Sequence, residues 1–277
     1  MGPAPDLLVI GHVTCDLLAD GTSRLGGTAL YAAVTAARLG YRAAVYTAAG
    51  PELDLSPLRA VAGVEVVCRP APSTTVFANR YSAGRRRQFL LGRAAEITPE
   101  DLPPAWQATR LVLLGAVAQE VAPSWAGLFP RATVAACLQG WLRAWDDAGR
   151  VSFSPWKEAK CWLPAFASAF LSLEDVGGRR ARALAFARHC PLLILTEGAQ
   201  GATLYEQGRP RQVLPFRAQE VDPTGAGDVF AAAFLLRLAE GESPSAAARF
   251  AAAAAALSVQ GPGIESIPDR AAVEALL

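Results

Sequence analysis

Apolar residues gather along this chain into short unbroken runs: LLVI at 7–10, AAVYT at 43–47, LVLL at 111–114, TVAAC at 133–137, AFLS at 169–172 and LLILT at 192–196. Several lack alternation with polar residues, the pattern of strands covered on both faces. Between many of them the period lengthens to that of a helix. TALYAAVTAARLG, 28–40, puts Leu30, Val34 and Ala37 on one face and stops at Gly40, a suitable residue just past a helix end. RRARALAFARHC, 179–190, predicts a second helix. Strand–helix alternation of this kind predicts an α/β fold, a mainly parallel sheet with helices on both faces.

One region departs from this rhythm. TTVFANRYSAGRRRQFLL, 74–91, has two β-prone arms around Ser82-Ala83-Gly84 and predicts a hairpin. No helix precedes it, so two readings stand: an ordinary edge hairpin, or a flap projecting from the main sheet. Towards the C-terminus, Ser243 as N-cap and Pro244 at the first helical position open a helix that carries the alanine run 251–256. Before it lies DVFAAAFLLRLAEG, apolar nearly all round, as a helix buried against a sheet should be, with Gly241 at its end.

Composition narrows the class. The 277 residues are 52% hydrophobic and 18% charged, which excludes a disordered chain. A net charge of +1 advertises no polyanion partner, and the run Arg85, Arg86, Arg87 reads as a solvated hairpin tip, so no nucleic acid is expected. Five cysteines (Cys15, Cys68, Cys137, Cys161 and Cys190) are scattered singly, and His12 and His189 lie far apart. That argues against a disulfide framework or zinc site and for a reducing compartment. MGPAPDLLVIGHV lacks the basic start of a signal peptide, and no apolar run reaches the roughly 18 residues of a membrane span. A cytoplasmic protein with no membrane partner is expected.

The chemistry concentrates in VDPTGAGDVFAAAF, 221–234. The first turn of a helix has backbone N–H groups without partners and the positive end of the helix dipole. Gly225, Ala226 and Gly227 let an anion approach that backbone, forming a cradle for phosphate. Asp228 beside it would repel a phosphate that merely binds. It makes sense as a general base that takes a proton from a hydroxyl attacking the phosphate. The alternative, that Asp228 only complements the dipole, loses ground once the glycines in front and the buried helix behind are counted. Other phosphate schemes do not fit. A Walker A loop needs GxxxxGK[ST], and the two lysines, Lys157 and Lys160, stand elsewhere. The dinucleotide fingerprint fails at Phe230, where its third glycine would be. Protein-kinase motifs and a GxSxG elbow are missing too.

DPTGAGD at 222–228, IGHVTCDLL at 10–18 and LGGTALYAAVTAARLG at 25–40 together resemble the ribokinase/PfkB carbohydrate kinase family, and TEGAQGATLY at 196–205 is a weaker match. The resemblance implies one ribokinase-like domain over 1–277: a three-layer α/β/α sandwich with a small β lid, formed mainly by 74–91. It implies that Asp228 activates the acceptor hydroxyl while the amides of 225–228 hold the transferred phosphate. Asp16, Gly26 and Gly27 would contact acceptor hydroxyls, and Thr196, Gly198 and Gly201 would lie near the nucleotide. ATP and Mg2+ are implied, with Asp175 on the metal side and Asp222 near a monovalent cation (K+) site that some members possess. The resemblance leaves a homodimer open.

Three departures from the family pattern bear on the acceptor. Tyr31 stands where sugar kinases often carry Asn, the usual NxxE reads Ser172-Leu173-Glu174-Asp175, and the usual Gly-x-Asp reads Gly50-Pro51-Glu52. LQGWLRAWDDAGRV, 138–151, is similar to a QGxxR segment of the family's inositol kinase branch. Gln139 and Arg143 would then meet a polyol ring or phosphate, or Arg143 would instead tie down its loop. The reading is an ATP-dependent kinase acting on a cyclic polyol or sugar, myo-inositol-like first and a nucleoside second. Its rivals are a sensor that binds such ligands without turnover and, with little support, a nicotinamide-dependent oxidoreductase.

Overall fold

The computed structural model describes residues 3–82 and 85–277. In chain order the first strands are β1 (Leu7–Ile10), β2 (Thr14–Leu17), β3 (Ser23–Gly26), β4 (Ala43–Ala49) and β5 (Val64–Pro70). Next come β6 (Val76–Ser82), β7 (Arg85–Gly92), β8 (Leu111–Leu114), β9 (Thr133–Cys137) and β10 (Arg143–Trp145). The last are β11 (Val151–Phe153), β12 (Ser168–Ser172), β13 (Leu192–Thr196), β14 (Ala202–Glu206) and β15 (Arg209–Val213). The helices are α1 (Thr28–Arg38), α2 (Ser56–Arg59), α3 (Ala159–Trp162), α4 (Arg180–Ala187), α5 (Ala226–Ala239), α6 (Pro244–Ser258) and α7 (Arg270–Leu276).

Nine strands form the main sheet in the order β15-β14-β13-β12-β9-β8-β1-β4-β5. It is parallel from β13 to β5, and β14 and β15 add an antiparallel edge. The unbroken apolar runs have the expected cause. Leu7 and Val9 of β1 join the core under α1, α5 and α6, while Leu8 and Ile10 join the core on the opposite face. That second face carries α4 and, alongside it, 3-10 turns that bring in the buried Trp106 and Trp125.

A second sheet, β3-β2-β6-β7, stands apart from the first. The hairpin expected over 74–91 is β6 and β7, and it pairs through β6 with β2 in this small sheet, so it is not an edge of the main one. Its turn residues Ala83 and Gly84 fall outside the described residues, as do the side chains of Arg85 and Arg86. Asp16 lies within β2 of this sheet. Arg24 lies opposite Asp16 on β3.

Most forecast boundaries hold within one or two residues; the helix expected over 179–190 is shorter, Arg180–Ala187. Helix α6 starts as expected, Ser243 Oγ accepting the Ala246 N–H at 3.2 Å ahead of Pro244. In α5, residues 229–236 are all buried, and Phe234 packs edge-on against Phe170 of β12 with ring centroids 5.6 Å apart. That packing fixes the helix start, and so the GAGD turn, against the sheet.

Candidate active site

The parallel strands end on one side of the main sheet, where open α/β sheets bind ligands. Cys137 closes β9, Ser172 closes β12 and Thr196 closes β13. The N-termini of α1 and α5 converge on the same place, and the small sheet faces it with Asp16 and Phe77. The result is a cleft of about 1260 Å³.

Gly225 caps α5 with φ 81°, a conformation costly for other residues. A Cβ there would also collide with the Tyr31 ring, so Tyr31 lies directly against the turn. The Ala226 N–H goes to Pro223 O at 3.3 Å and the Asp228 N–H to Gly225 O at 3.0 Å. Among the described hydrogen bonds none uses the Gly225 or Gly227 N–H. These two amides, and not all four of the turn, are the ones free for an anion. A Cβ on Gly227 would find only Thr196 Oγ1, at 4.0 Å, so the space over this amide is open.

Asp228 is partly accessible towards the cleft while protein packs around its carboxylate. Burial is the main cause that pushes its pKa up to about 6, with the negative charges of Asp175 and Asp16 acting in the same direction. A hydrogen bond from Thr28 and the charge of Arg143 work against it. The geometry links these opposing groups in one chain. Arg143 Nη2 donates to Gln139 Oε1 at 2.8 Å, Gln139 Nε2 to Thr28 Oγ1 at 2.8 Å, and Thr28 Oγ1 to Asp228 Oδ1 at 2.7 Å. Every donor in this relay points toward the carboxylate, so the relay favours its ionised form. Gln139 and Arg143 line the cleft and are hydrogen-bonded to each other. Arg143 Nη1 also donates to Val117 O at 2.9 Å.

On the side of the small sheet Asp16 is buried and accepts from Thr14 Oγ1 at 2.8 Å. A Cβ on Gly26 would collide with its carboxylate, and one on Gly27 (φ 90°) with His12 O. Gly26 thus lets β3 pass close to Asp16, and Gly27 lets the chain pass close to His12. The Tyr31 hydroxyl is buried without a hydrogen-bond partner, and burial raises its pKa, so it stays protonated.

On the other side Thr196, Gly198 and Gly201 border the cleft, beside an apolar wall that includes Phe216, Ala252, Ala256 and Val259. Between them Glu197 is buried, accepts from Thr203 Oγ1 at 2.9 Å and pairs with Arg180 at 2.7 Å. Asp175 Oδ2 accepts from both the backbone N–H and the hydroxyl of Ser172, at 2.7 and 2.8 Å. Asp222 sits apart from Asp175 and forms an ion pair with Arg24, Nη1 lying 2.5 Å from Oδ2. No group of three or more His, Cys, Asp or Glu able to hold a metal occurs among the described residues. Glu52, of the altered Gly-x-Asp, accepts the Thr74 N–H at 2.9 Å and so anchors the entry to β6.

Sequence reasoning missed Thr28 and Arg24. Thr28 had a faint signal, a hydroxyl directly after the glycine pair at the start of a buried helix. Arg24 had none, since its partners Asp222 and Thr224 lie some 200 residues away. No helix of the described residues is long and apolar enough to cross a membrane.

Comparison with known proteins adds independent findings. Residues 167–270 match the pfkB family carbohydrate kinase profile. The chain is 32% identical to an inositol 3-kinase of Zea mays over 274 residues, which is 89% of this chain and 70% of that protein. A shorter stretch of 84 residues is 51% identical to a ribokinase of Arabidopsis thaliana, covering 29% of this chain and 22% of the ribokinase. Among solved structures, a pyrophosphate-dependent kinase in the ribokinase family, complexed with a pyrophosphate analog and myo-inositol, superposes with a TM-score of 0.82 at 25% identity. That superposition covers 98% of this chain and all of the other.

Proposed function

Because the chain belongs to the pfkB family of carbohydrate kinases, we propose that it transfers the γ-phosphoryl group of ATP to a hydroxyl of a cyclic polyol or sugar, myo-inositol-like first and a nucleoside second. The observation that carries the reading is Asp228: a carboxylate with its pKa lifted to about 6, at a helix N-terminus beside the free Gly225 and Gly227 amides. A base of that pKa is ionised at neutral pH and still a competent proton acceptor. The acceptor hydroxyl lies against Asp228 Oδ2, since Thr28 occupies Oδ1. As its oxygen attacks, the amides of the turn receive the charge that develops on the phosphoryl oxygens.

Asp16 orients the ring of the acceptor, and Gly26 and Gly27, which keep the chain close against Asp16 and His12, border the same place. The apolar wall of Phe216, Ala252, Ala256 and Val259 takes the adenine, with Thr196, Gly198 and Gly201 beside the phosphates. Among the described residues no three-ligand cluster occurs, and Mg2+ needs none: it usually keeps several waters and rides on substrate phosphates with one or two carboxylates in support. Asp175 is the supporting carboxylate, and the ion would neutralise phosphate charge. The β3-β2-β6-β7 sheet acts as a lid on one domain spanning 1–277. A cytoplasmic setting and, as an open matter of assembly, a homodimer go with this reading.

A second donor reading, pyrophosphate, is favoured by the likeness to the pyrophosphate-dependent kinase. The apolar wall beside Thr196 favours a nucleotide. Product release with MgATP or Mg-pyrophosphate, across inositols, sugars and nucleosides, tests both. One acceptor should give turnover, and Asp228→Asn should lower it about 10²–10⁴-fold, the usual worth of a general base. Near-normal turnover in that variant would sink the mechanism. Binding of acceptor and ATP without any product would favour the sensor.

A further inference from the structure

The resemblance to cation-using family members puts a monovalent cation near Asp222, but the residues around Asp222 do not fit one. Asp222 Oδ1 accepts the Thr224 N–H at 3.0 Å, and Oδ2 accepts the Gly263 N–H at 3.1 Å. Arg24 Nη1 lies 2.5 Å from the same Oδ2, and Arg24 Nη2 donates to Thr224 Oγ1 at 3.1 Å. A hard cation needs oxygen atoms converging on it. Here the carboxylate is met by N–H donors and by a guanidinium that already carries the positive charge. Both partners are largely buried, 24% and 14% exposed in their side chains, so the pair is poorly screened.

The place of this pair in the fold gives it a consequence. The Val221 and Asp222 amides both donate to Val259 O, which stitches the segment before α5 to the end of α6. Gly263, beyond α6, reaches back to Asp222. Arg24 adds the third side, from β3 of the small sheet, and three residues after Asp222 the chain enters the Gly225 turn with its free amides. Tyr31, whose ring lies against that turn, has Arg24, Asp16, Asp222 and Asp228 as its charged surroundings.

We infer that Arg24 is the resident cation of the anion-binding turn: a positioning residue whose guanidinium replaces a free monovalent ion, so that turnover does not depend on K+. This rests on the kinase reading for its catalytic consequence, but not for its structural one. Arg24 acts through Asp222, holding the 222–225 segment in the shape that presents Gly225 and Gly227 to phosphate. Because β3 belongs to the sheet that carries the hairpin, the same contact ties that sheet to the phosphate site.

The test compares wild type, Arg24→Ala, Arg24→Lys, Asp222→Asn and the Arg24→Ala/Asp222→Asn pair, in KCl, choline chloride or methylguanidinium chloride at fixed ionic strength. Melting temperature is read without substrate, and kcat and donor KM with it. Wild type should melt and turn over alike in K+ and choline. Arg24→Ala should lose about 10–100-fold in kcat/KM for the donor, the usual cost of removing a residue that orients a charged site. K+ or methylguanidinium should restore most of that loss and raise its melting temperature above the choline value. Arg24→Lys should keep most activity. The double variant should lose rescue, because the carboxylate that attracts the small cation is gone.

Wild-type turnover or melting that rises with K+ overturns the inference. So does Arg24→Ala with full activity in choline, a loss that neither cation relieves, or rescue that persists without Asp222. If no acceptor supports turnover in wild type, the kinase reading falls by itself, and the melting series still decides whether a cation binds at Asp222 only once Arg24 is removed.

Discussion

At Asp228 the proposed mechanism puts two demands on one side chain: the carboxylate must be basic enough to take a proton and ionised enough to be ready. Burial and the neighbouring carboxylates push the pKa up, and the Thr28 hydrogen bond with Arg143 behind it keeps the value near 6. The sign of the pH effect follows. The base works only when deprotonated, so kcat/KM should be level above about pH 6 and fall about tenfold per unit below it; a profile over that range checks this. Thr28→Val removes an influence that lowers the pKa, so the acid limb should move to higher pH while turnover falls. Thr28→Ser should restore both, which a merely structural role would not require. Gly227 offers a cleaner separation. A Cβ there meets nothing closer than 4.0 Å in the protein, so Gly227→Ala should fold normally. It should raise the donor KM about tenfold or more, because the methyl group fills the space a phosphate oxygen must enter; calorimetry against kinetics distinguishes the two effects.

The elements explain why a short turn can be so exactly aimed. Helix α5 is apolar on nearly every side and therefore wedged between the sheet and its helical neighbours, with Phe234 locked against Phe170. A helix so confined transmits its position to its first turn. The turn in turn depends on Gly225, which combines φ 81° with contact against the Tyr31 ring of α1. Gly225→Ala should therefore cost stability as well as activity: roughly 2 kcal/mol or more from backbone strain and collision, seen as a Tm lower by about 5 °C or more in a melting scan. The contrast with Gly227→Ala, two residues further along the chain but without a packed neighbour, is the decisive comparison at this scale.

In the whole molecule the cleft is closed on one side by the main sheet and overhung on another by the β3-β2-β6-β7 sheet. Polar links tie the small sheet to the rest of the molecule at Arg24, which reaches Asp222 and Thr224, and just ahead of β6, where the Thr74 N–H goes to Glu52. A lid held in this way should tighten when acceptor and donor are both bound. Hydrogen exchange of β6 and β7 should slow about tenfold or more with both ligands present, and little with either one alone. Unchanged exchange would mean that the small sheet is a fixed wall.

By itself the sequence determined the parts whose causes are local. Unbroken apolar runs placed β1, β8, β9 and β13, because strands buried on both faces leave that pattern whatever their neighbours are. Ser243-Pro244 and Gly40 marked helix ends through capping and backbone preference. GAGD before an apolar helix marked the turn proposed to bind an anion, because its chemistry lies in consecutive residues. What the chain order could not carry is pairing. Whether the 74–91 hairpin joins the main sheet or β2 depends on contacts outside the hairpin, and β15, exposed and polar, lacks the apolar signal on which strand recognition relies. The Arg143–Gln139–Thr28–Asp228 relay joins separate stretches of the chain, and Arg24 reaches Asp222 from some 200 residues away. The sequence could name the candidate base; only the tertiary structure decided which groups set its pKa and which cation faces Asp222, because electrostatic partners are chosen by distance in space.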